Sequence, residues 1–504
     1  MNKMTNEPAG IEQKTQAFLD RQNHRMLIGG QWVDAAENKR IQVVNPAEET
    51  VIGSIPSAHS DDVNKAVGCA KTALEQGAWG KMRPSGRQNL LLKLADLIER
   101  DARVIAELEA IDNGKSAAIA QAVDIGLGLE FFRYMAGWAT KIEGSTLDVS
   151  MPFAPPEADF FAYTRREPVG VVAAIIPWNF PFLMACWKLA PALAAGCTVV
   201  LKPAEQTSLS ALYLGELIAE ANFPDGVVNI VTGDGQSTGS ALIAHPDINK
   251  ISFTGSTQVG QLIGRAAMDN MARVTLELGG KSPMIVLEDC DPEKAAQGAA
   301  VAIFFNHGQT CSAGSRLYVH RSIFETVVNR LGELAEAIPM GPGLDPAAQM
   351  GPLVSQVQLD RVCHYIETGC QEGARLITGG ERADRKGYYV KPTIFASEDD
   401  SLVIAKEEIF GPVLVAIPFD DVDDVVERAN DSCYGLAASI WSNNLSQVQR
   451  LIPRLKAGTV WVNGHNMLDS NVPFGGYKLS GVGRDMGKQS LESYLETKSV
   501  FMAL

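Results

Sequence analysis

Val169-Gly-Val-Val-Ala-Ala-Ile-Ile176 runs into Pro177-Trp-Asn-Phe-Pro181, continues through Phe182 to Cys197, and ends on Thr198-Val-Val-Leu201. Almost every residue is apolar, so the stretch reads either as a membrane span or as the centre of a buried core. Pro177, Asn179, Pro181, Lys188 and Pro191 interrupt it. In a bilayer those breaks would leave backbone groups without water to satisfy them. A strand, a turn, a helix and a second strand, all buried, is the reading that survives.

The same grammar repeats outward. Short β-branched runs at Val227–Val231, Lys250–Phe253 and Met284–Leu287 alternate with helical stretches, the spacing of βαβ crossovers. A doubly wound parallel sheet follows, able to hold a nucleotide at its carboxyl edge. A second set at Ser315–Val319, Val413–Pro418, Ala437–Trp441 and Thr459–Val462 predicts another α/β domain. Before residue 140 the periodicity is helical over 61–76, 86–110 and 115–140, with Leu90, Leu91, Leu94, Leu97 and Ile98 sharing a face. The proline-punctuated Leu147–Asp159 reads as an excursion from the first domain, and the tail after Leu491 turns strand-like.

A chain of 504 residues exceeds one ordinary core, so two or three domains are expected. The net charge of -15 disfavours nucleic acid and anionic membrane as partners. Eight scattered cysteines lack metal-site spacing, so no metal is expected and the thiols read as reduced. The opening MNKMTNEPAGIEQKTQAFLD has no apolar leader stretch, which makes the cytoplasm the expected compartment.

Two segments carry chemistry. Glu277-Leu-Gly-Gly-Lys-Ser282 ends an apolar strand on a carboxylate, and Phe304-Phe-Asn-His-Gly-Gln-Thr-Cys311 ends a turn on a thiol. A free thiol with pKa about 8.5 is a few per cent thiolate at neutral pH, and that fraction is strongly nucleophilic. A partly desolvated Glu277 would take a proton from water. Asn179, in the turn after a buried strand, could donate to a developing oxyanion alongside the Cys311 N–H. Each has a bland alternative: a buried structural cysteine, a surface carboxylate and a plain turn residue. Gly235-Gln-Ser237-Thr-Gly239 is a formal GxSxG and offers a rival serine hydrolase, with His245, His307, His320, His364 or His465 as base.

The two segments resemble the active-site signatures of the NAD(P)-dependent aldehyde dehydrogenases. Ordered motifs agree from Ile28-Gly-Gly-Gln-Trp32 to Pro473-Phe-Gly-Gly-Tyr-Lys-Leu-Ser-Gly481. The resemblance implies an α/β fold with two doubly wound domains: a cofactor domain over 1–144 and 168–279, and a catalytic domain over 280–479. A small β oligomerisation element over 145–167 and 480–504 would make a homodimer or homotetramer. It implies Cys311 as nucleophile, Glu277 as general base and Asn179 as oxyanion donor, with His307 structural. It places the cofactor against Ile176, Pro177, Trp178, Lys202, Glu205, Gly235, Gly239, Phe253, Gly255, Ser256, Leu278, Glu408 and Phe410. Glu205 would accept from a ribose 2′-OH and repel a 2′-phosphate, favouring NAD over NADP.

The aldehyde would lie among Phe180, Met184, Trp187, Phe305, Leu468 and Phe474. Nothing in that set pairs with a carboxylate, so the expected substrate is a hydrophobic aldehyde, with stacking favouring an aromatic one of the phenylacetaldehyde kind. A long-chain aliphatic aldehyde is the alternative. CoA acylation is a further one, opposed by Glu277, which that branch typically lacks. Lys188 and Glu496 stand at family positions connected with proton movement or subunit contact.

Overall fold

The computed structural model describes residues 10–504, so the first nine residues of the N-terminal stretch read above lie outside the description. Two large sheets, a small three-stranded one and a two-stranded one organise the described residues. In the first, Arg273–Glu277, Lys250–Thr254, Val171–Ile175, Thr198–Lys202 and Val228–Ile230 lie side by side and parallel. Chain order reverses between Val171–Ile175 and Lys250–Thr254, the switch point at which doubly wound sheets open a ligand crevice. Antiparallel Met26–Ile28 and Gln31–Val33 extend one edge, and Gly481–Val482 pairs with Leu276 and Glu277 at the other.

The second sheet runs Arg375–Thr378, Thr393–Ala396, Val413–Phe419, Arg316–His320, Pro283–Val286, Ala437–Trp441, Thr459–Val462, parallel except for its first pair. The fold class expected from the sequence is borne out. Leu495–Ala503 pairs antiparallel with Phe160–Pro168, which also pairs with Thr146–Leu147, forming the small sheet.

Helix Pro181–Ala195 occupies the centre of the first domain, and all fifteen of its residues are buried. Proline at its first turn supplies a pre-set φ and no wasted N–H, and Gly196 at φ +98° closes it in the left-handed conformation that glycine tolerates. Among the described residues no helix is long and apolar enough to cross a membrane.

Several boundaries differ from the sequence reading. The periodicity over 86–110 is two helices, Pro84–Arg100 and Ala102–Asp112, because Asp101 is drawn out of the pattern by Lys14 at 2.6 Å and Tyr213 at 2.8 Å. Met284–Leu287 belongs to the second sheet, as Pro283–Val286, although its composition matches the first set. The segment 480–504 is split: Gly481–Val482 closes the edge of the first sheet, and Leu495–Ala503 alone joins the small one. Strands at Arg40–Asn45, Thr50–Pro56, Arg375–Thr378 and Thr393–Ala396 carried no sequence signal strong enough to be read.

Candidate active site

A cavity of about 940 Å³ lies where the carboxyl edge of the first sheet meets the amino edge of the second. Its walls include Asn179, Glu277 and Cys311 together, although these lie far apart in sequence. The fold explains the convergence. Asn179 follows the strand Val171–Ile175, Glu277 ends Arg273–Glu277, and Cys311 precedes Arg316–His320 in the opposing sheet. The Gly279-Gly280 link lets the chain pass between them: a Cβ at Gly279 would stand 2.1 Å from a Glu408 carboxylate oxygen, and one at Gly280 2.5 Å from the Cys311 carbonyl.

Cys311 is half-buried at the cavity wall. Burial first, then the carboxyls of Glu408 and Glu277, push its thiol up to about 12. The group is therefore a protonated thiol until a base relieves it. Glu277 is buried and neither of its carboxyl oxygens has a hydrogen-bond partner among the described residues. Its pKa is raised well above the usual carboxylate range, by burial and then by the Asp485 carboxylate, against the opposing pull of Lys188 and Arg484.

Asn179 is buried, and its side-chain Nδ2 donates to the Gln309 carbonyl at 3.0 Å, leaving one N–H of the amide uncommitted. Asn306 and His307 adopt left-handed φ of 48° and 59° and bend the chain just before Gln309, whose carbonyl meets the Asn179 amide. His307 is spent elsewhere: its Nε2 accepts from the Gly351 N–H at 2.9 Å, and burial pushes the imidazole down to about 3. On the far side of the thiol, Ser312 is held through its hydroxyl by Asn466 at 2.8 Å and through its carbonyl by the His465 ring at 2.7 Å. Neither His465 nor Asn466 carried a readable signal in sequence.

Pro177, Trp178, Gly255, Ser256, Leu278, Glu408 and Phe410 line the same cavity. Ser256 caps helix Thr257–Asp269, its hydroxyl accepting from the Val259 N–H. Glu408 accepts from the Gly280 N–H at 2.9 Å, and burial pushes it up to about 7. Phe410, at φ +63°, stands edge-on to Trp178 with ring centroids 5.2 Å apart. Lys202 and Glu205 sit beside the cavity at the end of the adjacent strand, 3.8 Å apart, with Gly239 packed near the Lys202 stem. Gly235 begins the short π-helical turn Gly235–Gly239. Ile176 and Phe253 lie in the hydrophobic core behind the wall: Ile176 gives its N–H to the Lys202 carbonyl at 3.1 Å, and the Phe253 ring packs under Gly255. Their side chains pack in the core behind the cavity wall.

The apolar end is furnished by Phe180, Met184, Trp187, Phe305, Leu468 and Phe474, all six at the cavity wall. Phe180 and Phe305 stack at 6.0 Å, and Trp187 and Phe474 meet at 5.8 Å.

One expectation fails on geometry. Ser237 donates its hydroxyl to Asp234 at 2.9 Å, and no histidine is bonded to it among the described residues, so the hydrolase elbow is absent. Glu496 pairs with Arg273 at 2.6 Å on the surface. Lys188 is instead paired with Asp485 at 2.5 Å, both buried, and Asp485 is a site residue that the sequence reading missed.

A thiol, a raised carboxyl and an amide donor thus converge on one cavity between two doubly wound sheets. The chain belongs to the aldehyde dehydrogenase family, whose model matches residues 32–500. It is 54% identical over 482 residues to the phenylacetaldehyde dehydrogenase of Pseudomonas fluorescens, covering 95% of this chain and 96% of that one. The mitochondrial aldehyde dehydrogenase of Homo sapiens is 47% identical, with 95% and 91% covered. The NAD+ complex of an aldehyde dehydrogenase from Bacillus cereus superposes with a TM-score of 0.96 at 49% identity, covering 99% of this chain and all of that one. The protein is an oxidoreductase that acts on aldehydes.

Proposed function

We propose that this enzyme oxidises a hydrophobic, aromatic aldehyde of the phenylacetaldehyde kind to its acid, using NAD, with Cys311, Asn179 and Glu277 as its catalytic residues. The observation that carries the substrate reading is the aromatic lining around the Phe180–Phe305 and Trp187–Phe474 pairs, with no charged side chain among the six residues that form it. Stacking on such walls contributes about 0.5–1.5 kcal/mol per aromatic pair beyond area burial. The Pseudomonas fluorescens relative named for phenylacetaldehyde supports the same choice.

The residues present fit a dinucleotide. The crevice opens at the switch point of the first sheet, Ser256 heads a thirteen-residue helix whose N-terminus suits a pyrophosphate, and the Thr254 hydroxyl is buried without a partner. Lys202 and Glu205, 3.8 Å apart after the strand Thr198–Lys202, would hold the adenosine ribose, and the Glu205 carboxylate would disfavour a 2′-phosphate. Glu408 and Phe410 would hold the nicotinamide end. When bound, NAD supplies the acceptor for the hydride that leaves the aldehyde carbon.

The chain's own residues do the rest. The Cys311 sulfur attacks the aldehyde carbon as its proton passes to solvent water, and the oxygen becomes an oxyanion held by the free N–H of Asn179 and the Cys311 backbone N–H. Loss of hydride leaves a thioester on Cys311. Glu277, once deprotonated, takes a proton from water, and the resulting hydroxide attacks the thioester carbon and releases the acid and the thiol.

The small sheet supports a homodimer or homotetramer, since it leaves Phe161, Phe501, Met502 and Leu504 exposed, and light scattering of the purified chain reads the state directly. For the substrate, initial rates of NADH formation with phenylacetaldehyde, hexanal and succinic semialdehyde decide the matter. The highest kcat/KM is expected for phenylacetaldehyde with NAD. A preference for hexanal would replace the aromatic reading by the long-chain aliphatic one, and a CoA-dependent acyl product would replace the hydrolytic one.

A further inference from the structure

Behind the turn that carries Asn179 lies a buried ion cluster that the mechanism above does not use. Lys115, Glu109 and Asp124 are all fully buried. Lys115 Nζ donates to Asp124 at 2.6 Å, stands 3.5 Å from Glu109, and donates to the Asn179 backbone carbonyl at 2.9 Å. It also lies 4.4 Å from the centroid of the Phe180 ring. The neighbouring groups grip the same turn from every side. Asn113 Nδ2 donates to the Trp178 carbonyl at 2.6 Å, Asn306 Nδ2 to the Asn179 carbonyl at 3.0 Å, and Glu109 accepts the Phe182 N–H at 2.6 Å.

Asp124 is raised well above the carboxylate range by burial and then by Glu109, against Lys115. Glu109 Oε2 and Asp124 Oδ2 have no hydrogen-bond partner among the described residues, so the Lys115 ammonium, 3.5 Å and 2.6 Å from the two carboxyls, is what offsets their burial.

Asp124 belongs to the π-helical turn Ala120–Ile125, an insertion in the helix that runs to Trp138. Such turns are rare and concentrate at functional sites. Here Ala122, Val123 and Leu127, on the same stretch, line the cavity. One buried ammonium therefore ties the wall of the aldehyde cavity to the backbone of the oxyanion turn.

We infer that Lys115 is a positioning residue for the reaction: bonded to Asp124 and to the Asn179 carbonyl, it fixes the Asn179 amide where the oxyanion forms and couples that position to the cavity wall. The inference rests on the proposed role of Asn179. Burial alone would also suit an inert structural ion pair, but such a pair has no need to end on the carbonyl of Asn179, which lines the cavity together with Cys311. A displacement of about 1 Å in a group of this kind costs on the order of 100-fold in rate.

The test is a double-mutant cycle on the full-length enzyme. Asn179→Ala by itself tests the reading on which the inference depends, with a kcat loss of about 100- to 1000-fold expected. Lys115→Met combined with Asp124→Asn removes the pair without leaving an ammonium unpaired, and is expected to lower kcat at least about tenfold with little change in KM for NAD. In the Asn179→Ala background the same pair of substitutions should cost less than about threefold, because the amide being positioned is already gone. An equal loss in both backgrounds, or an unchanged kcat, overturns the inference even where Asn179→Ala behaves as expected. If Asn179→Ala keeps full activity, the oxyanion reading itself falls and the inference with it. Should the Lys115→Met combination fold poorly, Asp124→Asn alone, which loosens the Lys115 anchor at 2.6 Å, carries the same cycle and is overturned by the same additivity.

Discussion

Lys188 and Asp485 form a buried ion pair, Nζ to Oδ2 2.5 Å, and both bear on Glu277: Asp485 raises its pKa and Lys188 lowers it. The base of the reaction is thus set between an anion and a cation already bound to each other. Removing the anion should let Glu277 ionise more easily. Asp485→Asn is expected to move the acid limb of the kcat profile to lower pH, and Lys188→Met to move it higher. Breaking a buried pair costs about 3–5 kcal/mol, so both variants should also melt earlier. A limb that stays in place in both variants would detach the pair from the base.

Glu277 itself makes a sharper prediction. Glu277→Gln should still form the thioester, giving a single burst of NADH of about one per active site, and lose steady-state turnover about 100-fold or more. Its stability should change in the opposite direction. A carboxyl with a raised folded pKa binds its proton more tightly folded than unfolded, so stability falls as pH rises from the ordinary carboxylate range through the folded value. Glutamine does not titrate. The variant should therefore melt higher than the wild type at pH 8, with the gap closing towards pH 4, as read by scanning calorimetry.

Much of this was legible in the chain, for stated physical reasons. Strands buried on both faces cannot hide their β-branched runs, so Val171–Ile175 and Thr198–Lys202 stood out, as did the punctuated helix between them. The Glu277 and Cys311 segments showed through their glycines and turns. What stayed hidden depends on contacts remote in sequence. Asp485 meets a lysine 297 residues away, and nothing in Gly-Arg-Asp-Met marks it. Lys115 reads as the opening residue of a helical stretch until the fold brings its ammonium to the carbonyl of Asn179, 64 residues on. The break at Asp101 was masked because leucine periodicity continues across it, and the pairing of Gly481–Val482 is too short to leave a period at all.

Cys311→Ala should abolish aldehyde oxidation, by on the order of 10⁴-fold or more, while NAD binding measured by tryptophan fluorescence persists. Ser237→Ala should leave kcat within about twofold, since its hydroxyl is occupied by Asp234 on the exposed turn. Full activity in the first variant together with loss in the second would reverse the assignment of nucleophile.

The aromatic walls give the last prediction. Phe305 stacks on Phe180 at 6.0 Å, and Phe180 in turn carries the Lys115 ammonium 4.4 Å from its ring centroid. Phe305→Leu keeps the wall apolar and nearly as full, but removes one face against which a substrate ring can lie. If the cavity selects by stacking, the loss of about 1 kcal/mol should appear as a roughly fivefold fall in kcat/KM for phenylacetaldehyde, with hexanal changed by less than about twofold. The effect should sit mainly in KM, because the contact is made equally before and during the reaction. Equal losses for both aldehydes would mean that the aromatics act as plain apolar volume, and the long-chain aliphatic reading would then explain the cavity better.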